Sequence, residues 1–166
     1  MNEILDEQSR SSLVHYRLER ADEAIAEAKL LASEGYYNAT MNRLYYACFY
    51  AALALLVANG IATASHAGVK TMLGLHFVSK GLLDIQHGKT FSRLFEIRHT
   101  GDYDDFVYCD KEMAKEYTPK AEAFINKKIN RTIELLFFKK SGRPFVEKNK
   151  RSASYFCFLF QLIFVM

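Results

Sequence analysis

Tryptophan is absent from this chain, and only two prolines and eight glycines occur among its 166 residues. So few turn formers leave little room for the dense turns of an all-β chain. Cysteine is scarce as well. Cys48, Cys109 and Cys157 form no C-x-x-C pair and no even set, which argues against a disulfide framework and for a reduced, intracellular setting. No glycine-rich phosphate loop and no G-x-S-x-G elbow is present. His66, His76 and His87 lack cysteine or carboxylate companions at ligand spacing, so neither a metal nor another cofactor is expected. The opening MNEILDEQSR is acidic and polar, unlike a signal peptide, and points to a cytoplasmic protein.

Charge of one sign is also missing from most of the chain. The net +3 comes from residues 139–166, where six lysines and arginines face one glutamate. The preceding 138 residues hold 16 basic and 18 acidic side chains and sum to −2. A nearly neutral body gives no general electrostatic case for nucleic acid, so any anion site in it must be local.

What the chain does have is helical periodicity, in a length that suits one domain. Leu13, Leu18, Ala21, Ile25, Ala28 and Leu31 recur at helical steps up to a stop at Gly35. The stretch YYNATMNRLYYACFYAALALLVANG is apolar nearly all round, as the buried centre of a bundle would be. Ser65 is placed to cap a third helix running to about Val78, and KGLLDIQHGK reads as a junction. Leu94, Phe95, Ile97 and Arg98 belong to a fourth helix ending near Gly101. A last one begins around Asp110 and is expected to kink or restart at Thr118-Pro119 before running on through Ile125, Ile129, Ile133 and Leu136. Four to five helices with short links make an all-α, antiparallel up-and-down bundle over residues 1–138.

Three stretches, NRLYYACFYAALALL, SHAGVKTMLGLHFV and LFEIRHTGDYDDFV, resemble the HEPN domain, in particular its small stand-alone branch. The resemblance spans roughly residues 8–137. It implies a helical bundle that forms a homodimer, often beside a minimal nucleotidyltransferase, with many members acting as metal-independent ribonucleases and commonly as toxins. The family's catalytic signature is an arginine followed after four to six residues by a histidine. Arg98 occupies the arginine position, and Tyr103 stands where the histidine would. Arg93 with His99, and Arg10 with His15, satisfy the spacing formally but lie off the motif and read as coincidences.

Metal-free RNA cleavage needs a cation for the developing phosphorane charge and a base near neutral pH. Arg98 suits the first role, since its planar fork stays charged and fits phosphate. Tyr103 suits the second poorly, because an unperturbed phenol titrates near pH ~10. It could instead orient a phosphate, or accept a nucleotidyl group as motif tyrosines do in some family members. Asp102, with Asp104 and Asp105, could border the site, or simply solvate a helix end. Arg98 could equally form a surface pair with Asp102 across one turn, worth ~0.3–0.5 kcal/mol. Asn42 and Arg43 interrupt the apolar second helix and could line an RNA or nucleotide site, while Tyr45, Tyr46 and Phe49 read as core packing on a shared face with Asn42.

Two function classes emerge. One is a toxin-like HEPN protein meeting RNA or a nucleotide at Arg98 and Tyr103. The other is a non-catalytic dimeric module that holds a nucleotidyltransferase or another partner. The segment 139–166 lies outside the resemblance and is basic, then apolar. Its last twelve residues, Tyr155 to Met166, fall short of the ~20 a spanning helix requires, so stable transmembrane anchoring is not expected. It could touch a membrane surface, dock on a partner, or be an extension without an essential role, as a shifted reading frame would produce.

Overall fold

The structure, a computed structural model, describes residues 6–63, 65–101, 108–125 and 133. Among them are five α-helices and no strand: α1 (Glu7–Ser33), α2 (Tyr37–Ala58), α3 (His66–Leu73), α4 (Ile85–Gly101) and α5 (Lys111–Ala123). The fold is an all-α helical bundle. The extension 139–166 lies outside the described residues.

α1 begins at Asp6, whose carboxylate accepts the Ser9 N–H at 2.8 Å and the Ser9 hydroxyl at 2.9 Å. This satisfies a donor that the first helical turn would otherwise leave bare. Val14, Leu18, Ala21, Ala24 and Ala28 form its buried face at three- and four-residue steps. Gly35 then adopts φ +81°, a conformation that would strain any residue with a β-carbon, and turns the chain back into α2. Arg20 meets Tyr50 and Glu27 meets Arg43. Positions rising along one helix pair with positions falling along the other, so α1 and α2 are antiparallel.

α2 is the core of the bundle. Leu44, Tyr45, Ala47, Cys48, Ala51, Ala52, Ala54, Leu55 and Leu56 are all shielded, while the face with Arg43, Tyr46, Tyr50, Leu53 and Val57 is half-buried. Among the described residues it is the one helix long and apolar enough to cross a membrane, with 61% of its most apolar window covered by the rest of the chain. Thr40, its buried polar residue, returns its hydroxyl to the Tyr36 carbonyl at 3.0 Å. The helix closes on Gly60, at φ +72°, where the Ile61 N–H reaches back to the Leu56 carbonyl at 2.9 Å.

Ser65 caps α3 as its position suggests, accepting the Gly68 N–H at 3.0 Å. The helix widens into a π-helical turn over Gly74–Val78, which delivers Phe77 to the core. The junction is shorter than the sequence suggests. α4 starts at Ile85, inside KGLLDIQHGK, because Asp84 organises its first turn: its carboxylate takes the Gln86 N–H at 2.8 Å and its carbonyl the His87 N–H at 3.0 Å. Gly88 lets α4 approach the π-helical turn closely, since a β-carbon there would stand 3.0 Å from a Val78 methyl.

α5 follows its own cap, with the Asp110 carboxylate accepting the Met113 N–H at 2.8 Å. Just before it, the Cys109 N–H donates to the Asn38 side chain at 2.7 Å, fastening this end of the chain to the first turn of α2. Phe124, immediately after α5, stacks on Phe91 of α4 with ring centroids 5.9 Å apart. The expected restart at Thr118-Pro119 does not occur. α5 runs unbroken through Pro119, and the Thr118 hydroxyl donates to the Ala114 carbonyl at 2.7 Å.

Pro119 is exposed, so its replacement removes no packing. Pro119→Ala should therefore raise the stability of the bundle, by up to about 3 kcal/mol, through the recovered backbone N–H and the relieved ring clash. Urea denaturation of the two proteins measures it; an unchanged or lower midpoint would mean that the proline is accommodated without cost.

Candidate functional site

Arg98 is built inward by the periodicity of its own helix. Phe91, Leu94, Phe95 and Ile97 direct one face of α4 to the core, and Arg98 lies three and four residues beyond Phe95 and Leu94. Its guanidinium carbon sits 5.8 Å from the ring centroid of Tyr45 and 5.8 Å from that of Tyr46, both on α2. The Nε is shielded from solvent. A guanidinium held against two aromatic faces keeps its charge and is fixed in direction, at an interaction worth about 0.5–2 kcal/mol per ring. His99 points elsewhere, as adjacent helical residues do, and stacks on Phe95 at 5.9 Å.

The two tyrosines have different surroundings. Tyr45 is fully buried, and its hydroxyl lies 2.7 Å from Nδ1 of His66 at the start of α3. Burial pushes its phenol well above the ordinary range, against a smaller opposing pull from the Arg98 charge, so Tyr45 keeps its proton. Tyr46 is half-buried and carries Arg43 over its ring at 5.5 Å, while Arg43 also pairs with Glu27 at 3.2 Å. Phe49 holds His66 in a parallel stack, with centroids 4.3 Å apart and planes 18° from parallel.

The aromatic stripe continues along α2. Tyr46 and Tyr50 have centroids 6.2 Å apart, and Arg17 and Arg20 from α1 lie over Tyr50 at 5.9 and 5.7 Å. Arginines from α1, α2 and α4 thus flank one short run of rings, each next to the ring it contacts. Glu23 and Glu27 offset part of that charge at Arg20 and Arg43.

Of the residues singled out in the sequence, Arg98 and Arg43 meet at Tyr46, and Asn42 is half-buried on α2 one turn before Tyr45 and Tyr46. Tyr103 and Asp102 lie outside the described residues, as do Asp104 and Asp105. Arg93 bridges to Glu96, whereas Arg10 and His15 sit in ordinary helix pairs with Glu7 and Glu19. Among the described residues no three histidine, cysteine or acidic side chains converge as metal ligands would. A groove of about 580 Å³ between α3 and α4 is lined by Val78, Ile85, Phe91 and Arg93 among others, and does not include Arg98, Tyr45 or His66.

Sequence reasoning missed His66, Arg17 and Arg20. Nothing in spacing joins position 45 to 66 or 17 to 50. The available signal was the polar SHAGV after a helix cap, which can be read as no more than a helix start.

Comparison with known proteins agrees with this architecture. A HEPN domain profile matches residues 14–132. A protein of Thermotoga maritima described as "UPF0332 protein" is 37% identical over 117 residues, covering 70% of this chain and 89% of that protein. Two proteins of Methanocaldococcus jannaschii are named "Putative toxin MJ0605" and "Putative toxin MJ0142". The first is 32% identical, covering 66% of this chain and 81% of that protein; the second is 29% identical, covering 66% and 75%. The chain belongs to the HEPN domain family.

Cys48 lies on the buried face of α2, and complete burial raises its thiol pKa well above the ordinary value. A raised pKa keeps the unreactive thiol form populated through mildly alkaline pH. Alkylation of Cys48 at pH 8, followed by mass spectrometry, should therefore proceed only as fast as the bundle opens. Labelling at the rate of a free thiol would contradict this burial.

Proposed function

We propose that this chain is a toxin-like HEPN protein whose Arg98 binds the phosphate of RNA or a nucleotide, with Tyr103 as its motif partner and Asn42, Arg43 and Asp102 at the border. The observation that carries this reading is the placement of the Arg98 guanidinium against Tyr45 and Tyr46, at the helix end where the family motif begins. A surface arginine in a helix-end ion pair would not need two aromatic walls. The toxin naming of the Methanocaldococcus jannaschii relatives supports the same class.

Arg98 supplies charge to the non-bridging phosphate oxygens as they gain charge in a metal-independent transesterification. Tyr103 is a weak base near neutral pH, so the intrinsic ribonuclease activity of this chain is low, and the tyrosine serves better as an orienting group or as an acceptor of a nucleotidyl group. The chain works as a homodimer and with a minimal nucleotidyltransferase. The second function class, a module that only holds such a partner, draws support from the missing motif histidine.

Arg98→Lys keeps the charge and loses the planar fork. It should weaken binding of a short fluorescein-labelled oligouridine by roughly tenfold or more, with little change in Tm. Parent and variant binding alike would leave the partner-holding class in place of this one. Tyr103→His should raise RNA cleavage by about 10²- to 10⁴-fold if position 103 faces the same phosphate; a chromatographic cleavage assay showing no gain would remove Tyr103 from the site.

A further inference from the structure

We infer that the groove between the π-helical turn and α4 is a docking site for a partner protein, which lays an amphipathic segment of aliphatic and acidic side chains into it. The groove does not include Arg98, Tyr45 or His66, so the inference is independent of the phosphate-binding reading.

Apolar surface comes first. Leu73, Val78, Ile85 and Phe91 supply most of the greasy lining. Leu73 and Phe91 belong to the buried core, whereas Ile85 is 59% exposed, so the lining runs from the core out to solvent. Among the described residues four large aliphatic side chains are exposed, and three of them, Leu75, Leu82 and Ile85, fall between positions 75 and 85. Gly74, the first residue of the π-helical turn, also lines the groove. Its backbone, at φ −58° and ψ −51°, would suit any residue. A β-carbon there would meet nothing within 4 Å, so the missing side chain leaves room. Single π-helical turns are rare and are found frequently at functional sites.

Charge selects the occupant. The lining holds Lys70, Lys89 and Arg93 against the single carboxylate of Glu96, a balance of +2. Lys70 meets one Glu96 oxygen at 3.6 Å and Arg93 the other at 3.7 Å, which draws these cations to one place. An apolar strip edged by charge is the anatomy of a protein interface, and an open groove suits the apolar face of a helix. A small molecule would need a pocket that surrounds most of its surface. The excess of cations favours carboxylates on the incoming segment. It disfavours residues 139–166 of this chain, which hold six basic side chains against one acidic, and it disfavours the same groove of a second copy.

The test titrates the full chain with two fluorescein-labelled helical peptides of about fifteen residues, leucines on one face and either glutamates or lysines on the other. The glutamate peptide should bind, and the lysine peptide about tenfold or more weakly. Gly74→Leu fills the groove from a position where a β-carbon meets no obstacle. It should weaken the glutamate peptide about tenfold or more while leaving Tm and oligouridine binding as in the parent. Lys89→Glu, at an exposed position, should weaken the glutamate peptide about three- to fivefold and narrow the preference between the two. A parent that binds neither peptide at about millimolar concentration, or both equally, overturns the inference. So does a Gly74→Leu protein that binds as the parent does, and so does an unaltered preference in Lys89→Glu, which decides the matter even if Gly74→Leu fails to fold. If Gly74→Leu instead splits a parent dimer in sedimentation, the groove is filled by a second copy and the assignment to a partner protein falls.

Discussion

A long apolar helix must be covered by the rest of the chain, and the bundle is organised around meeting that condition for α2. α1 lies antiparallel along it, α3, α4 and α5 pack on other parts of its surface, and the face with Arg43, Tyr46, Tyr50, Leu53 and Val57 stays half-buried. Close packing against such a helix favours small side chains at the contacts, and alanines are frequent on both α1 and α2: Ala21, Ala24 and Ala28 face inward from the first, Ala47, Ala51, Ala54 and Ala58 from the second. Larger residues at these positions would hold the helices apart and leave gaps next to Leu44 and Leu56. The long aromatics then concentrate at Tyr45, Tyr46, Phe49 and Tyr50, and the charged groups collect around them.

The polar chemistry of the protein is therefore an edge effect of its core. Arg98 points inward because α4 must present Phe91 and Leu94 to α2, and the same face carries the guanidinium to the tyrosine rings. A buried phenol needs a hydrogen-bond partner, and His66 is placed to be that partner by the cap that starts α3. Neither requirement concerns a ligand. Both leave polar groups beside aromatic faces.

Much of this architecture was legible in the residues. The helical steps of α1, the apolar run of α2, the Ser65 cap and the helix start near Asp110 all arise from local rules that tertiary packing did not override. Two readings needed correction. The junction before α4 is confined to residues 79–84, because Asp84 organises the first turn of α4, and no restart interrupts α5 at Pro119. At the site, Arg98 and Arg43 could be chosen in advance because a family motif or an apolar background marked them. His66 could not, since its importance arises only when α3 folds against Tyr45, and contact between separate helices leaves no periodic trace in a sequence.

The π-helical turn at Gly74–Val78 gives the bundle a sensitivity to length. Its wider turn takes up about one more residue than an α-helical turn would, so Phe77 and Val78 reach their places only with that residue present. Removing a single residue here would draw Phe77 from its place in the core and disturb the close seat of Gly88 against Val78. This stretch can tolerate changes of side chain far more readily than changes of count.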